Sequence, residues 1–238
     1  MVEYYADPED IISDFLRVHL TDPRARAEAS ESDTIVATAG QTTFTPTPTT
    51  GSVSCITAVT LDGTALVKWK EYYWDYQNQY IILATAATIG QSIIITFKYG
   101  TTNWIFSDKP DSNISAINFP RISIFSPTGG PGKRLGNYKA DVEGKPIFQI
   151  DVWAKKDQSY TIDSRKYSNN YLARYFGNRI TRAFDKEIVD LHPALYDYDL
   201  ISLPRVGPYS DEYQAFHAIV EMAMKGIKLG RIEYTWGL

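Results

Sequence analysis

From Ile147 to Ala154 the chain is apolar nearly throughout, with Phe148, Ile150 and Trp153 set among Ile147, Val152 and Ala154. A short run of β-branched and aromatic residues of this kind predicts a strand buried on most of its surface. Between Phe119 and Phe125 the pattern alternates, with Phe119, Arg121, Ser123 and Phe125 on one side and Pro120, Ile122 and Ile124 on the other. That run stops where the turn-rich segment Ser126 to Gly132 begins, and two strands joined by one long loop pair antiparallel most readily. From Tyr167 to about Ile188 the period becomes helical. Leu172, Phe176, Ile180, Ala183 and Phe184 share one face, Arg174, Asn178 and Arg182 another, and Tyr167, Tyr171 and Tyr175 recur every fourth residue as a flanking stripe.

Upstream, Asp7-Pro8-Glu9-Asp10 reads as a helix start, with Asp at the cap, Pro in the first turn and carboxylates against the positive end of the dipole. Ile11, Ile12, Phe15 and Leu16 then give one apolar face, and Pro23 ends the helix. Arg24 to Asp33 is charged and alanine-rich, either a helix extension or a linker. From Thr34 to Tyr99 Thr, Val, Ile and Gly take over, and strands are expected at 34–37, 42–45, 53–61, 65–68, 72–76, 80–83 and 92–99. Asp62-Gly63 is a hairpin turn dipeptide. Ile93 to Phe97 reads as a run buried on both faces or, uncovered, an aggregation hazard. Short strands at this spacing predict a β-sandwich or barrel of its own. It reads as an insertion, since the Asp7 helix has no partner sheet until Phe119.

After the insertion, Thr101 to Ser115 is polar and turn-prone, and Ser126 to Pro146 is a long loop of the kind that is functional or mobile. Tyr196 to Pro204 alternates as a strand. Tyr213 to Leu229 has helix-forming composition, yet Phe216, Ala218, Val220, Met222 and Met224 alternate as one face of a strand that would pair with Tyr196 to Pro204 across Gly207-Pro208. Arg231 to Trp236 is a candidate terminal strand. The expected class is α+β: residues 1–30 and 105–238 form an antiparallel sheet covered by helices on one face, and residues 34–100 an inserted all-β sandwich.

Composition narrows this without changing it. Hydrophobic residues make up 44% and charged residues 22% of the 238, as in ordinary globular chains. A net charge of −4 argues against global attraction to nucleic acid. Cys55 is the single cysteine, which excludes an intrachain disulfide and a cysteine-rich metal site. No apolar run reaches the roughly 20 residues of a membrane span, and Met1 to Tyr5 does not open a signal peptide. The expectation is a chain made in the cytoplasm with no membrane partner.

Catalytic chemistry finds little purchase. Thr128 to Arg134 imitates a phosphate loop, but Pro127 occupies the first glycine position and Arg134 stands where Ser or Thr is required. His19, His192 and His217 lack metal-ligand spacing. Asp7, Glu9, Asp10 and Asp14, like Glu187 and Asp190, read as solvated faces or dipole partners. No Ser or Cys sits in a nucleophile elbow, and Cys55 reads as a small core residue. The expectation is therefore no catalytic residue, no metal, no cofactor and no enzyme. The densest aromatic patch, Trp69, Tyr72, Trp74 and Tyr76 with Tyr73 and Tyr80, is either an outward-facing surface able to stack on a glycan or core and protein contact.

With residues 34–99 set aside, the order is helix, strand, long loop, strand, helix, two strands. The first strand opens Phe119-Pro-Arg-Ile-Ser-Ile, the second Gln149-Ile-Asp-Val-Trp-Ala154, and the main helix runs from Tyr167 to Ile188. In that order and those motifs the chain resembles the tail terminator (tail completion) proteins of tailed bacteriophages and related viruses, over Asp7 to Pro23 and about Phe119 to Leu229. The resemblance favours the strand reading of Tyr213 to Leu229. It implies a structural virion protein of the neck or tail, found in the virion and made in the host cytoplasm. Such a protein forms a homo-oligomeric, hexameric ring that caps the tail tube protein and joins the head-tail connector or stopper protein, with DNA only as cargo passing through the lumen. A head-tail stopper or adaptor is the neighbouring alternative, and a glycan-binding module using Trp69 to Tyr80 a distant one. On this reading Tyr167, Tyr171, Arg174, Tyr175 and Arg182 are expected at ring contacts, and Lys133, Arg134 and Lys139 in an arm that orders against the next ring. Segments such as Val36 to Phe44, Val59 to Gly63 and Gly90 to Ile95 look like small β-domains appended to virion proteins, and an insertion of this size departs from the compact family pattern.

Overall fold

The computed structural model describes residues 8–76, 78–107, 118–125, 147–187, 195–207 and 209–226. Among them the fold is mixed α+β, mostly antiparallel sheets with two helices. Two compact units are present: Arg24–Asn103, and Met1–Pro23 together with Trp104–Gly237. Helix α1 (Pro8–His19) buries Ile11, Ile12, Phe15 and Leu16 as the spacing predicts. Its polar side is enclosed too: Ser13, Asp14 and Arg17 are buried, and Arg17 Nη2 donates to the Ile105 carbonyl at 2.7 Å. Of the two readings given to Asp14, solvated face or dipole partner, burial removes the first.

The Arg24–Asn103 unit contains β1 (Ala29–Val36), β2 (Gln41–Phe44), β3 (Ser52–Leu61), β4 (Thr64–Ala65), β5 (Tyr72–Asp75), β6 (Tyr80–Ala87) and β7 (Ser92–Gly100). They make one sheet ordered β1-β7-β3-β4 and another ordered β2-β6-β5. A single core takes side chains from both, among them Phe44, Val53, Ile56, Trp74, Ile81 and Phe97. Central β7 buries Ile93, Ile95 and Phe97 and turns Ile94 outward, so it is a one-sided strand and not one buried on both faces. Asp62 and Gly63 form the expected turn with φ of 49° and 78°. The Asp62 carboxylate accepts from the Ser92 amide at 2.8 Å and from Gln91 Nε2 at 2.9 Å. Cys55 is buried.

The start of this unit corrects the sequence reading. Ala29 to Asp33, expected as linker or helix, is the first half of β1, in register with β7 from Ala29↔Tyr99. No hydrophobic alternation betrays it, because the alternating residues are Glu31 and Asp33. Their carboxylates accept from the backbone amides of Thr49 and Thr47, so the Pro-Thr segment is held beside β1. Charges on an edge strand also discourage pairing with foreign strands. At the other end the backbone crosses itself closely: a Cβ on Gly100 would lie 2.4 Å from Ala27 Cα.

The second unit adds β8 (Ile105–Phe106), β9 (Arg121–Phe125), β10 (Ile147–Lys155), β11 (Ser159–Ile162), β12 (Arg165–Ser168), α2 (Asn169–Glu187), β13 (Leu195–Val206) and β14 (Ala215–Gly226). The main sheet is five-stranded, β13-β14-β10-β9-β8, with only β8 parallel to its neighbour. The Ile147 run is central, and it pairs antiparallel with β9 as expected, Val152 opposite Ile122. β14 is a strand and pairs with both β10 and β13. Ile122, Ile124, Phe148, Ile150, Val152, Ala154, Ala218, Val220 and Met222 share one core with α1 and α2, so both helices cover the same sheet face.

Three expectations for this unit change. Phe119 does not open a strand: β9 begins at Arg121, and Phe119 packs with Trp153 and Ala215 in a separate small cluster. Tyr167 is not helical but lies in β12, which forms a hairpin with β11 around Asp163 and Ser164, with φ of 49° and 64°. β8, within the stretch read as turn-prone, is a fifth strand. The expected loop Ser126 to Pro146 and strand Arg231 to Trp236 lie outside the described residues.

Gly177 sits in the middle of α2, where glycine costs about 1 kcal/mol relative to alanine. A Cβ there would meet Pro204 Cβ at 3.0 Å and Ala218 Cβ at 3.6 Å, so the missing side chain is what lets the helix lie close to the sheet. Gly177→Ala should therefore show none of the usual stabilisation, and Gly177→Val should lose about 1–3 kcal/mol, read as denaturation midpoints. The Arg24–Asn103 unit has its own core, and its first and last strands are paired. Expressed alone it should unfold in one cooperative transition, and Gly100→Ala should lower that midpoint.

Candidate interaction surfaces

The outer side of α2 takes no part in the core, and its exposed residues are Tyr171, Arg174, Asn178, Arg179, Arg182, Asp185 and Lys186. One side of the helix thus carries four cations in a chain whose net charge is −4. Tyr171 is 67% exposed, and an aromatic side chain held in water beside arginines has the composition of a contact surface. Like charges three or four residues apart destabilise an isolated helix by about 0.2–0.5 kcal/mol per pair. The Arg179–Arg182 spacing therefore does not serve helix stability.

The tyrosine stripe does not exist as a helical row. Tyr167, from β12, and Tyr175, from α2, stack with ring centroids 4.5 Å apart and lean on the core as half-buried side chains. Burial pushes the Tyr175 phenol up, while the Arg179 and Arg182 guanidiniums pull it back. Of the expected contact residues the structure therefore leaves Tyr171, Arg174 and Arg182 at the surface and makes Tyr167 and Tyr175 the joint that fixes the β11–β12 hairpin to the helix. Lys133, Arg134 and Lys139 lie outside the described residues.

Opposite the helices lies the second face of the five-stranded sheet. It is largely closed. Arg121, Ser123, Asp151 and Trp153 point there by strand alternation and all are buried. Arg121 Nε donates to Ser123 Oγ at 3.0 Å, its guanidinium lies 3.8 Å over the Phe106 ring, and Gln149 Nε2 donates to Asp151 Oδ1 at 2.9 Å. Trp153 is held between Tyr213, at 4.8 Å, and His217, at 4.6 Å. The Trp153 indole N–H and His217 Nδ1 reach no partner among the described residues.

At one end the sheet closes in the β13–β14 hairpin tip. Ser210 and Ala215 exchange backbone hydrogen bonds at 2.9 and 3.2 Å. Lys155 Nζ donates to the Tyr213 carbonyl at 3.2 Å, and Tyr209 packs edge-on against Phe216 at 5.1 Å. Asp211 and Glu212 stand exposed on this braced turn. Nothing in the sequence patterns singled them out. The available signal was an acidic pair between two predicted strands.

The aromatic patch of the other unit is not outward-facing. Trp69, Tyr72 and Trp74 are 5%, 3% and 2% exposed, and Tyr76 packs against the core. Tyr72 and Trp74 fill the space between the two sheets, and Lys68 Nζ sits 5.2 Å from the Trp69 ring. Burial also pushes the Tyr73 phenol up. Aromatic faces spent on the core are not offered to a sugar ring.

Among the described residues no three His, Cys, Asp or Glu side chains are grouped to hold a metal ion, and no helix is long and apolar enough to cross a membrane. No family model, curated protein or solved structure matches the chain.

Burial lowers the pKa of His217 below its ordinary 6.5. In the unfolded chain the imidazole protonates first, so its contribution to stability is complete above about pH 6.5 and is lost as pH falls from there toward the folded value. Unfolding free energy measured between about pH 5 and 8 should fall more steeply on acidification for the wild type than for His217→Gln. Parallel curves would refute the assignment.

Proposed function

We propose that this chain is a structural virion protein of the phage neck or tail, a tail terminator that forms a ring, caps the tail tube protein and joins the head-tail connector or stopper. The observation that carries the reading is the arrangement around β10. The Arg121 and Ile147 strands are antiparallel neighbours in one sheet, and that sheet is roofed on a single face by the N-terminal helix and the helix that follows β12. This is the order of elements on which the likeness to tail terminators rests, and strands in separate sheets would have removed its basis. The Arg24–Asn103 unit is then a small inserted β-sandwich, its strand pair β1 and β7 holding entry and exit together. It is the part that departs from the compact family pattern. Ring contacts fall on Tyr171, Arg174 and Arg182, with Tyr167 and Tyr175 supporting them from behind. A hexamer is the expected stoichiometry, DNA passes through the lumen as cargo, and the protein performs no catalysis.

Light scattering and negative-stain imaging of the purified protein test this directly. The expected result is a discrete assembly of several subunits, seen end-on as a ring with a central hole. A particle that stays one chain in mass up to hundreds of micromolar, and that does not join tails to heads in an assembly extract, would remove the reading.

A further inference from the structure

The basic outer face of α2 and the acidic tip of the β13–β14 hairpin belong to the same unit but to different elements of it. α2 lies on the sheet face lined by Phe148, Ile150 and Val152. The hairpin tip closes one end of that sheet, braced through Tyr213 against Trp153 on the opposite face and through Tyr209 against Phe216 on the helix-covered one. Among the described residues neither Arg174 nor Arg182, and neither Asp211 nor Glu212, makes an ion pair within the chain. All four are exposed.

We propose that these two surfaces are partners across copies: Asp211 and Glu212 of one protomer dock on Arg174 and Arg182 of the next. The inference rests on the ring reading above and names its contact. Two observations favour a second copy over another acidic partner. The complementary charge is already on this chain, and among the described residues no ion pair joins the two patches within one protomer. A patch and its complement on different elements of one body make a heterologous contact when they join copies, the kind that closes rings or runs on as a filament. The geometry also fits in scale. Arg174 and Arg182 are two helical turns apart, about 12 Å along the axis, with Asn178 between them, a length that a two-residue acidic tip can straddle. The tip arrives ordered, pinned by the Ser210–Ala215 hydrogen bonds and by Lys155 on the Tyr213 carbonyl. Little freedom is then lost on docking. Tyr171 at the helix end supplies the apolar contact that a purely ionic patch lacks. An interface of exposed charges is steered and screened as such, so it weakens as salt rises.

The test is a charge exchange on the full chain. One variant carries Arg174→Glu and Arg182→Glu, the other Asp211→Lys and Glu212→Lys, and each is checked for an unchanged melting transition. Sedimentation velocity at about 50 mM and about 500 mM NaCl should show the wild type assembled at low salt and loosened at high salt. Each variant alone should associate at least about tenfold more weakly. An equimolar mixture should reassemble, because each then offers the other an opposite charge. Folded variants that associate like the wild type, or a mixture that stays dissociated, would overturn the pairing and leave the ring reading standing. A wild type that never associates would end both. A wild type that stays monomeric but binds duplex DNA through Arg174 and Arg182 would replace the second copy with nucleic acid.

Discussion

The side-chain parity of β10 is the constraint on which the larger unit depends. Phe148, Ile150, Val152 and Ala154 face the helices and are buried, while Gln149, Asp151 and Trp153 face the other way. Because strands alternate with a period of two, a slip of one residue would carry Asp151 under α2 and expel the whole aliphatic row. Each buried Ile, Val or Phe is worth about 1.5–3 kcal/mol relative to exposure, so a handful of them matches the whole net stability of a domain, about 5–15 kcal/mol. A carboxylate stranded in their place would cost several kcal/mol more. The same parity runs through Ile122 and Ile124 on one side and Ala218, Val220 and Met222 on the other, so the register of three strands is decided together.

Given that register, α2 has one way to lie. Its buried face is studded with small residues, Ala173, Gly177 and Ala183, between Leu172, Phe176, Ile180 and Phe184. The gap at Gly177 takes Pro204 of the edge strand. Once that face is seated, nothing in the fold dictates what the opposite one carries. Arg174, Arg179 and Arg182 are therefore outside the folding argument, and the repulsion between Arg179 and Arg182 works mildly against the helix. Residues that the fold neither needs nor favours are where a functional argument has room to begin.

Much of this was legible beforehand, and what was not has identifiable physical reasons. The core strands announced themselves because β10 and β14 carry strong two-residue or continuous apolar patterns, and α1 and α2 because their apolar residues fall at helical spacing. The choice of strand over helix for Ala215–Gly226 went against propensity and followed alternation, which is what packing against both β10 and β13 rewards. β1 was illegible at its start because its alternating residues are carboxylates bound to backbone amides, a polar pattern that mimics a linker. The β11–β12 hairpin was missed because Tyr167 fits a four-residue helical stripe as well as it fits a strand, and the deciding turn, Asp163-Ser164, lacks glycine. The aromatic patch stayed open between two readings for a different reason. Trp and Tyr suit both cores and surfaces, and only the presence of a second sheet above Tyr72 and Trp74 decides between them. The basic side of α2 was readable from one helix, but the acidic pair Asp211 and Glu212 stood out only once the sheet set it on an exposed, braced turn.

The closed state of both sheet faces limits how such a subunit can associate. Helices occupy one face, and the other holds buried Arg121, Asp151 and Trp153, so no flat apolar face remains there for a neighbour to cover. Strand addition at β13 is also impeded. Pro204 removes an amide from that edge, and the pairing with β14 is interrupted by register shifts at three places, both features that resist edge-to-edge joining. What the described residues leave is the periphery, the outer side of one helix and the tip of one hairpin. Contacts of that kind are small, polar and sensitive to salt, so an assembly built on them would form and come apart readily. A large hydrophobic interface would instead commit each chain to its neighbours as soon as it folded.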